Sequence, residues 1–236
     1  MNIEQRIIDL APWALEVEVA PGITTAPAPR NDQVSFTNPK PWFTREVASV
    51  YPAGLAGKRF LDCACNCGAY SFWAKELGAA ECFGFDVRRC WIDQAEFLLT
   101  SRTSPKDGMR FQRLDLLDLP GLGLPPFDIT WFSGIFYHLP DPVTGLKIAA
   151  DLTNEVLMLN TAWKPGPAGA LIAGQEAKDA TMAGVYGLNW HPTGPEVLQS
   201  ILRWLGFVEF RLSFQNEKRI ALWASKKIGL LKVSST

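Results

Sequence analysis

The chain has 236 residues, 47% of them hydrophobic and 20% charged, with 23 Lys and Arg against 24 Asp and Glu. That length suits one large domain or a domain with a small appendage, and a net charge of −1 speaks against a nucleic-acid partner, which favours a basic surplus. No apolar run approaches the ~20 residues of a membrane helix, and the start MNIEQRIIDLAPW lacks the basic lead and apolar centre of a secretory signal. A cytoplasmic protein with no membrane partner is expected, and its five cysteines are expected to stay reduced there.

A short helix is expected at the start. It is followed by an arm, VAPGITTAPAPRNDQVSFTNPKP, too rich in proline and polar residues for regular structure. WFTREVASVY then reads as a helix. From Lys58 the chain alternates. KRFLDCA is a strand and AYSFWAKELG an amphipathic helix ending at Gly78. ECFGFDV is a strand and RCWIDQAEFLLTSR a helix. MRFQRLDL, FDITWFSG and EVLMLNTAW are further strands, with the helix DPVTGLKIAADLT between the last two. HPTGPEVLQSILRWLG reads as a long helix, and FVEFRLSF and RIALWASKK close the chain as two strands around the turn QNEK. Such alternation predicts an α/β fold with a mostly parallel sheet of seven strands in a three-layer α/β/α arrangement. The last two strands must form an antiparallel hairpin. Ligand is expected at the carboxyl ends of the first strands.

Three cysteines crowd into DCACNCG, residues 62–68. Zinc sites use four ligands, usually as separated C-x-x-C pairs; C-x-C-x-C with no second cluster does not provide them, and no metal is expected. A disulfide between such near neighbours is strained. What remains is a turn of small residues between the first strand and its helix, where backbone can approach a ligand and a helix N-terminus offers free N–H groups. Eighteen residues beyond Gly68 the second strand ends in GFDVR, placing Asp86 where a carboxylate can grip ribose hydroxyls. An adenosine-containing cofactor follows.

FLDCACNCGAYSFWAKELGA resembles the first motif of class I S-adenosylmethionine-dependent methyltransferases. Asp62, Ala64, Asn66 and Gly68 fall on its positions, and Cys65 lies among them. GFDVR is similar to the second motif, with Asp86 on the ribose beside Val87 and Arg88. FQRLDLLDLP is similar to the third, which implies Asp115 at the adenine amino group with Leu116 next to it. FDITWFSGIFYHLPDP resembles the fourth-strand motif, which implies that Ser133 lies near the methionine moiety. The four matches occur in order across about residues 58–160. The resemblance implies a Rossmann-like methyltransferase domain over 58–236, S-adenosylmethionine as cofactor, and an N-terminal arm and helix over 1–57. Within the class, the first motif, the YHL-x-x-P after the fourth strand, and NWHPTGPEVLQSILRWLGF look like the branch of tRNA wobble-uridine methyltransferase-like proteins and their small-molecule relatives. Ala64 and Asn66 stand where the wider class has glycines, and the basic surface of a tRNA-modifying member is missing.

Methyl transfer mainly needs alignment, with a base only for a protonated nucleophile. His138 is the candidate base; its alternative is a structural histidine bonded to a carbonyl. His191, read in a turn before a helix, caps the pocket or is solvated. Glu176 accepts a proton from the acceptor or is a surface glutamate. Tyr137, Tyr186 and Trp190 line an apolar acceptor site or belong to the core. Asp62 caps the first helix or organises the loop that holds the cofactor amino group. The arm, with Trp42 and Phe43, is expected to close over cofactor and acceptor. Neutral charge and abundant aromatics favour a small-molecule acceptor methylated on oxygen or nitrogen, such as a natural product, sugar or lipid-like compound. A tRNA wobble-uridine enzyme and a non-catalytic methyltransferase-like binding protein are the alternatives. The sequence leaves oligomeric state open.

Overall fold

The computed structural model describes residues 2–25, 38–103, 105–177 and 182–231. Seven strands form a mostly parallel sheet ending in a C-terminal antiparallel hairpin, as the alternation predicts. The chain divides into two compact units, Met1–Asp115 and Leu116–Thr236; the boundary expected after residue 57 lies inside the first.

The first unit contains α1 (Ile3–Asp9), β1 (Glu18–Ala20), β2 (Ile23–Thr24), α2 (Lys40–Ala48), β3 (Arg59–Cys63), α3 (Ala69–Glu76), β4 (Glu81–Asp86), α4 (Arg89–Ser101) and β5 (Met109–Arg113). The strands β3, β4 and β5 are parallel neighbours in that order, so their carboxyl ends share one edge. A cluster of Phe43, Phe60, Tyr70 and Trp73, with Phe43 5.5–6.1 Å from each of the other three rings, packs α2 and α3 onto β3. Such ring pairs add directional attraction to their buried area.

The N-terminal residues are tied to α4. Gln94 Nε2 donates to the Leu10 and Pro12 carbonyls at 2.7 and 2.9 Å, and the Trp13 ring meets Phe97 at 6.2 Å. Part of the arm expected to be irregular is the β1–β2 hairpin. Gly22 takes the left-handed conformation its turn needs (φ 76°), and the buried Thr25 hydroxyl accepts from Val17 N–H at 3.0 Å and donates to the Leu15 carbonyl. Most of the expected closing segment, residues 26–37, lies outside the described residues.

The second unit contains β6 (Phe127–Ser133), α5 (Pro142–Asp151), β7 (Thr153–Ala162), β8 (Leu171–Gln175), β9 (Leu188–Pro192), α6 (Pro195–Trp204), β10 (Glu209–Gln215) and β11 (Arg219–Ser225). Strand β7 pairs parallel with β6 and antiparallel with β11, which explains its run of buried apolar residues from Val156 to Leu159. Trp131 and Trp223 meet edge to face at 5.9 Å in the core.

Three expectations change. The expected strand through Leu116 ends at Arg113, and Leu116–Leu122 is a 3-10 segment. The long helix expected from His191 starts at Pro195, a proline at the first helical position. The residues before it form β9, which pairs with β8 in an antiparallel hairpin. Ala173 and Gly174 gave β8 no strand signature, and the Pro192–Thr193–Gly194–Pro195 cluster signals a turn that lies one step beyond His191.

Candidate functional site

Two groups of polar residues stand out, one in each unit. In the first, the turn from β3 to α3 alternates into the left-handed region three times, at Ala64 (φ 54°), Asn66 (φ 53°) and Gly68 (φ 78°). Only glycine adopts it freely, and other L-residues sit there at about 1–2 kcal/mol each. Ala64 and Asn66 therefore hold a backbone conformation that glycine would adopt without strain. At Gly68 no other residue fits, since a Cβ would lie 2.5 Å from the Phe111 ring. Backbone bonds Cys65 N to Phe85 O and Gly68 N to Cys65 O, both 2.8 Å, fasten the turn, and Asn66 Oδ1 accepts from Cys67 N–H at 2.7 Å.

Two carboxylates organise this turn from the strands. Asp62 Oδ2 accepts from both the backbone N–H and the hydroxyl of Ser71, at 3.1 and 2.8 Å. Gly68, at the N-cap of α3, has no side chain to cap it, so Asp62 supplies the missing acceptor across the turn. Burial pushes its pKa up to about 7, against the pull of the two Ser71 bonds and with a small push from Asp86. Asp86, buried at the end of β4, accepts from Asn66 N–H on Oδ2 and from Arg88 N–H on Oδ1, each at 3.0 Å. Burial raises its pKa as well, against these bonds and the Arg88 charge. The carboxylate thus joins the 64–68 turn to the turn after β4.

Leu114 N–H donates to the Asp86 carbonyl at 3.0 Å, which fixes the chain one residue before the half-buried Asp115. Val87 and Arg88 are half-buried, and the Val87 carbonyl accepts from Arg113 Nε at 3.2 Å. Cys63, Cys65 and Cys67 are buried free thiols. Burial pushes Cys67 up to about 12 and Cys63 and Cys65 well above their usual value. They stay protonated and fill space. Among the described residues no group of three or more His, Cys, Asp or Glu is placed to hold a metal ion.

In the second unit β6 ends at the half-buried Ser133, and Gly134 N–H donates to the Asn160 carbonyl at 2.8 Å. A single 3-10 turn, Phe136–His138, follows. His138 Nδ1 lies 2.7 Å from Glu176 Oε2, with 14% and 15% of the two side chains exposed. A carboxylate that accepts from an imidazole Nδ1–H leaves the lone pair of a neutral ring on Nε2. Glu176 Oε2 also accepts from Gly184 N–H at 2.9 Å. Glu176 is therefore a paired, mostly buried group and not a solvated surface glutamate.

The Tyr137 ring lies 3.9 Å from that of His138 and 6.2 Å, nearly parallel, from that of His191. His191 sits on β9, not in a turn. It is 8% exposed, and its Nδ1 has no hydrogen-bond partner among the described residues. Burial holds its pKa below the usual range, helped by the Lys164 charge and opposed by Glu176. Trp190, half-buried on the same strand, has a buried Nε1 likewise unpartnered among the described residues. Tyr186 is half-buried in the connection between β8 and β9.

Leu116 is buried in the second unit, and Trp42 is buried in the first. Phe43 is a core residue of the first unit with no exposed surface, so it offers no face to an acceptor. Sequence reading missed three residues: Gly184; Asn160, whose Oδ1 accepts from Arg219 Nε at 3.0 Å; and Arg219, whose guanidinium lies 5.8 Å above the Tyr137 ring. The one signal for them was an Asn inside the apolar run VLMLNTA.

No family model matches the chain. It is 30% identical over 176 residues to a tRNA U34 carboxymethyltransferase of Pseudomonas aeruginosa strain LESB58, covering 72% of this chain and 52% of that protein. With the enzyme of the same name from Campylobacter lari it shares 31% over 119 residues, covering 50% and 40%. The chain spans about half or less of the length of these relatives. Among solved structures, the N-terminal domain of EvdMO1 with SAH bound superposes with a TM-score of 0.79 at 19% identity, covering 96% of this chain and 98% of that one. Magnesium protoporphyrin IX methyltransferase from Synechocystis PCC 6803 with bound SAM superposes at 0.58 with 17% identity, covering 84% and 87%. The chain thus has the fold of the S-adenosylmethionine-dependent methyltransferases, and its sequence is similar to the tRNA U34 carboxymethyltransferases.

Proposed function

We propose that the chain is an S-adenosylmethionine-dependent methyltransferase acting on an oxygen or nitrogen of a small-molecule acceptor. The observation that carries this reading is the Asp86 carboxylate, held by one N–H on each oxygen in a fold shared with structures that bind SAM and SAH. Each oxygen keeps acceptor capacity for a hydroxyl donor, which suits a ribose diol. The left-handed turn at 64–68 keeps side-chain bulk away from the cofactor, Asp115 takes the adenine amino group, and Val87 and Arg88 complete the first unit's cofactor set. When bound, S-adenosylmethionine supplies a methyl group on a sulfonium, released as the C–S bond breaks with its electrons left on sulfur.

The second unit supplies the groups that handle the acceptor. Glu176 orients His138 and stabilises its protonated form, and His138 Nε2 takes the proton that an alcohol or ammonium acceptor must lose. His191, kept neutral by burial, offers a hydrogen bond without competing for that proton. Tyr137, Tyr186 and Trp190 give the acceptor an aromatic surface.

Titration calorimetry with S-adenosylmethionine and its demethylated product, followed by a methyl-transfer screen over acceptor classes, tests the reading. Micromolar binding of both with turnover of a small acceptor supports it, and absence of cofactor binding overturns it. The similarity to tRNA U34 carboxymethyltransferases favours a second reading, a wobble-uridine enzyme. Salt-dependent binding and methylation of bulk tRNA would establish it, but 23 basic residues against 24 acidic weigh against it. Cofactor binding with no transfer to either class would leave a methyltransferase-like binding protein.

A further inference from the structure

Among the described strands, β5 pairs only with β4 and β10 only with β11. An edge strand presents open main-chain groups, and charged side chains commonly guard it. Strand β5 carries the exposed Arg110 and Arg113. Strand β10 is guarded differently: Leu212 is 44% exposed, Phe210 is half-buried, and Val208 just before the strand is 55% exposed. Side chains alternate along a strand, so Phe210 and Leu212 share one face while Glu209 and Arg211 share the other. Arg203 of α6 lies 4.9 Å from the Phe210 ring, which places the apolar pair on the helix side.

Hydrogen bonding fixes which main-chain groups of β10 face outward. Lys226 N–H donates to the Glu155 carbonyl and Trp163 N–H to the Lys218 carbonyl. Even-numbered residues of β11 therefore bond to β7, and odd-numbered ones face β10. Ser225 and Trp223 stand opposite Glu209 and Arg211, so those two bond inward and Phe210 turns its N–H and C=O to the open edge. The register shift after Leu212 ends the regular stretch there.

We infer that this edge takes a second copy of the chain, antiparallel, about a twofold axis through Phe210. In that register the two Phe210 residues exchange main-chain bonds, and Leu212 of each copy comes against the exposed Val208 of the other. Glu209 faces Arg211 of the second copy, and the twofold makes that match occur twice. Moving the axis one residue either way would set Arg211 or Glu209 against itself, a like-charge contact. The Glu209 carboxylate is already fixed by the N–H groups of Gly229, Leu230 and Leu231, and its remaining acceptor capacity suits a guanidinium. This inference is independent of cofactor and acceptor.

Sedimentation equilibrium of the full chain tests it. Between about 1 μM and 0.1 mM the mass should rise from that of one chain to that of two, since a limited interface implies a micromolar Kd. Leu212→Lys, at an exposed position, should raise that Kd about thirtyfold, because the lost contact occurs twice. Arg211→Glu and Glu209→Arg should each be monomeric alone, whereas their equimolar mixture should form a heterodimer with opposite charges facing at both matches. In a Cys90→Ser background, Phe210→Cys treated with diamide should yield a covalent dimer, because facing Cα atoms about 5.5 Å apart permit a disulfide. Leu212→Cys, which faces position 208 and not itself, should stay uncrosslinked. Should Glu209→Arg fail to fold by circular dichroism, the crosslinking pair decides the register. A monomer throughout that range, a dimer unmoved by Leu212→Lys, or crosslinking of Leu212→Cys in place of Phe210→Cys would each overturn the inference.

Discussion

The two units solve different problems with the same kinds of side chain. In the first, Asp62 and Asp86 are bonded to backbone N–H groups within the turns they join, and the result is a rigid seat. In the second, His138, Glu176, Tyr137 and His191 come from a 3-10 turn, a loop and a strand, and His191 and Trp190 each keep a buried polar atom without a partner among the described residues. On the proposed reading, the cofactor seat is finished before the ligand arrives, and the acceptor site leaves hydrogen bonds for the acceptor to make. The contrast yields four predictions, from the largest effect to the smallest.

His138→Gln should reduce kcat roughly 10²–10⁴-fold, the usual worth of a positioned base, with cofactor Kd unchanged by calorimetry. A loss of cofactor binding in that variant would break the division of labour between the units.

Asp62→Asn tests the rigid seat through pH. The folded-state pKa of Asp62 is raised from 3.8 to about 7, so the unfolded chain ionises first as pH rises. The stability this group contributes is full below about pH 4 and declines as pH climbs towards 7. Urea titrations should therefore show the stability difference between wild type and Asp62→Asn shifting in favour of the variant from pH 4 to pH 7, by as much as about 4 kcal/mol. A difference independent of pH would mean that Asp62 is not held in a desolvated site.

Asp86→Ala should weaken S-adenosylmethionine binding by about 1.5–3 kcal/mol if the carboxylate makes charge-assisted bonds to the ribose. An unaffected Kd would remove Asp86 from the cofactor seat. Ala64→Gly should stabilise the fold by about 0.5–1 kcal/mol, because relief of the left-handed strain slightly exceeds the added freedom of the unfolded chain. A thermal midpoint higher by roughly 2 °C would register it.

The same division governs what could be read from sequence. The β3–α3–β4–α4–β5 run is local: each helix is bounded by its own glycine or polar turn, and the residues proposed to hold the cofactor fall at strand ends counted along the chain. Asp86 was legible because strand geometry alone puts it at the carboxyl edge. The left-handed turn was harder, since alanine and asparagine conceal a conformation that glycine would announce, and only the resemblance pointed to it. In the second unit, contacts spanning 38 residues between His138 and Glu176, or 59 between Asn160 and Arg219, leave no periodic trace. Gly184 looked like any loop glycine; only the packed structure shows that its N–H and its missing side chain both serve Glu176.

The five cysteines invite one practical consequence. Four are sealed in the interior of the first unit, and burial suppresses their ionisation, while Cys90 alone is exposed, two residues past Arg88. Towards a thiol-directed reagent the native molecule should therefore behave as if it possessed a single sulfur, and the denatured one as if it possessed five. The number of labels acquired then serves as a gauge of global opening, and a dye on Cys90 would report from the first turn of α4 without any engineered change to the chain.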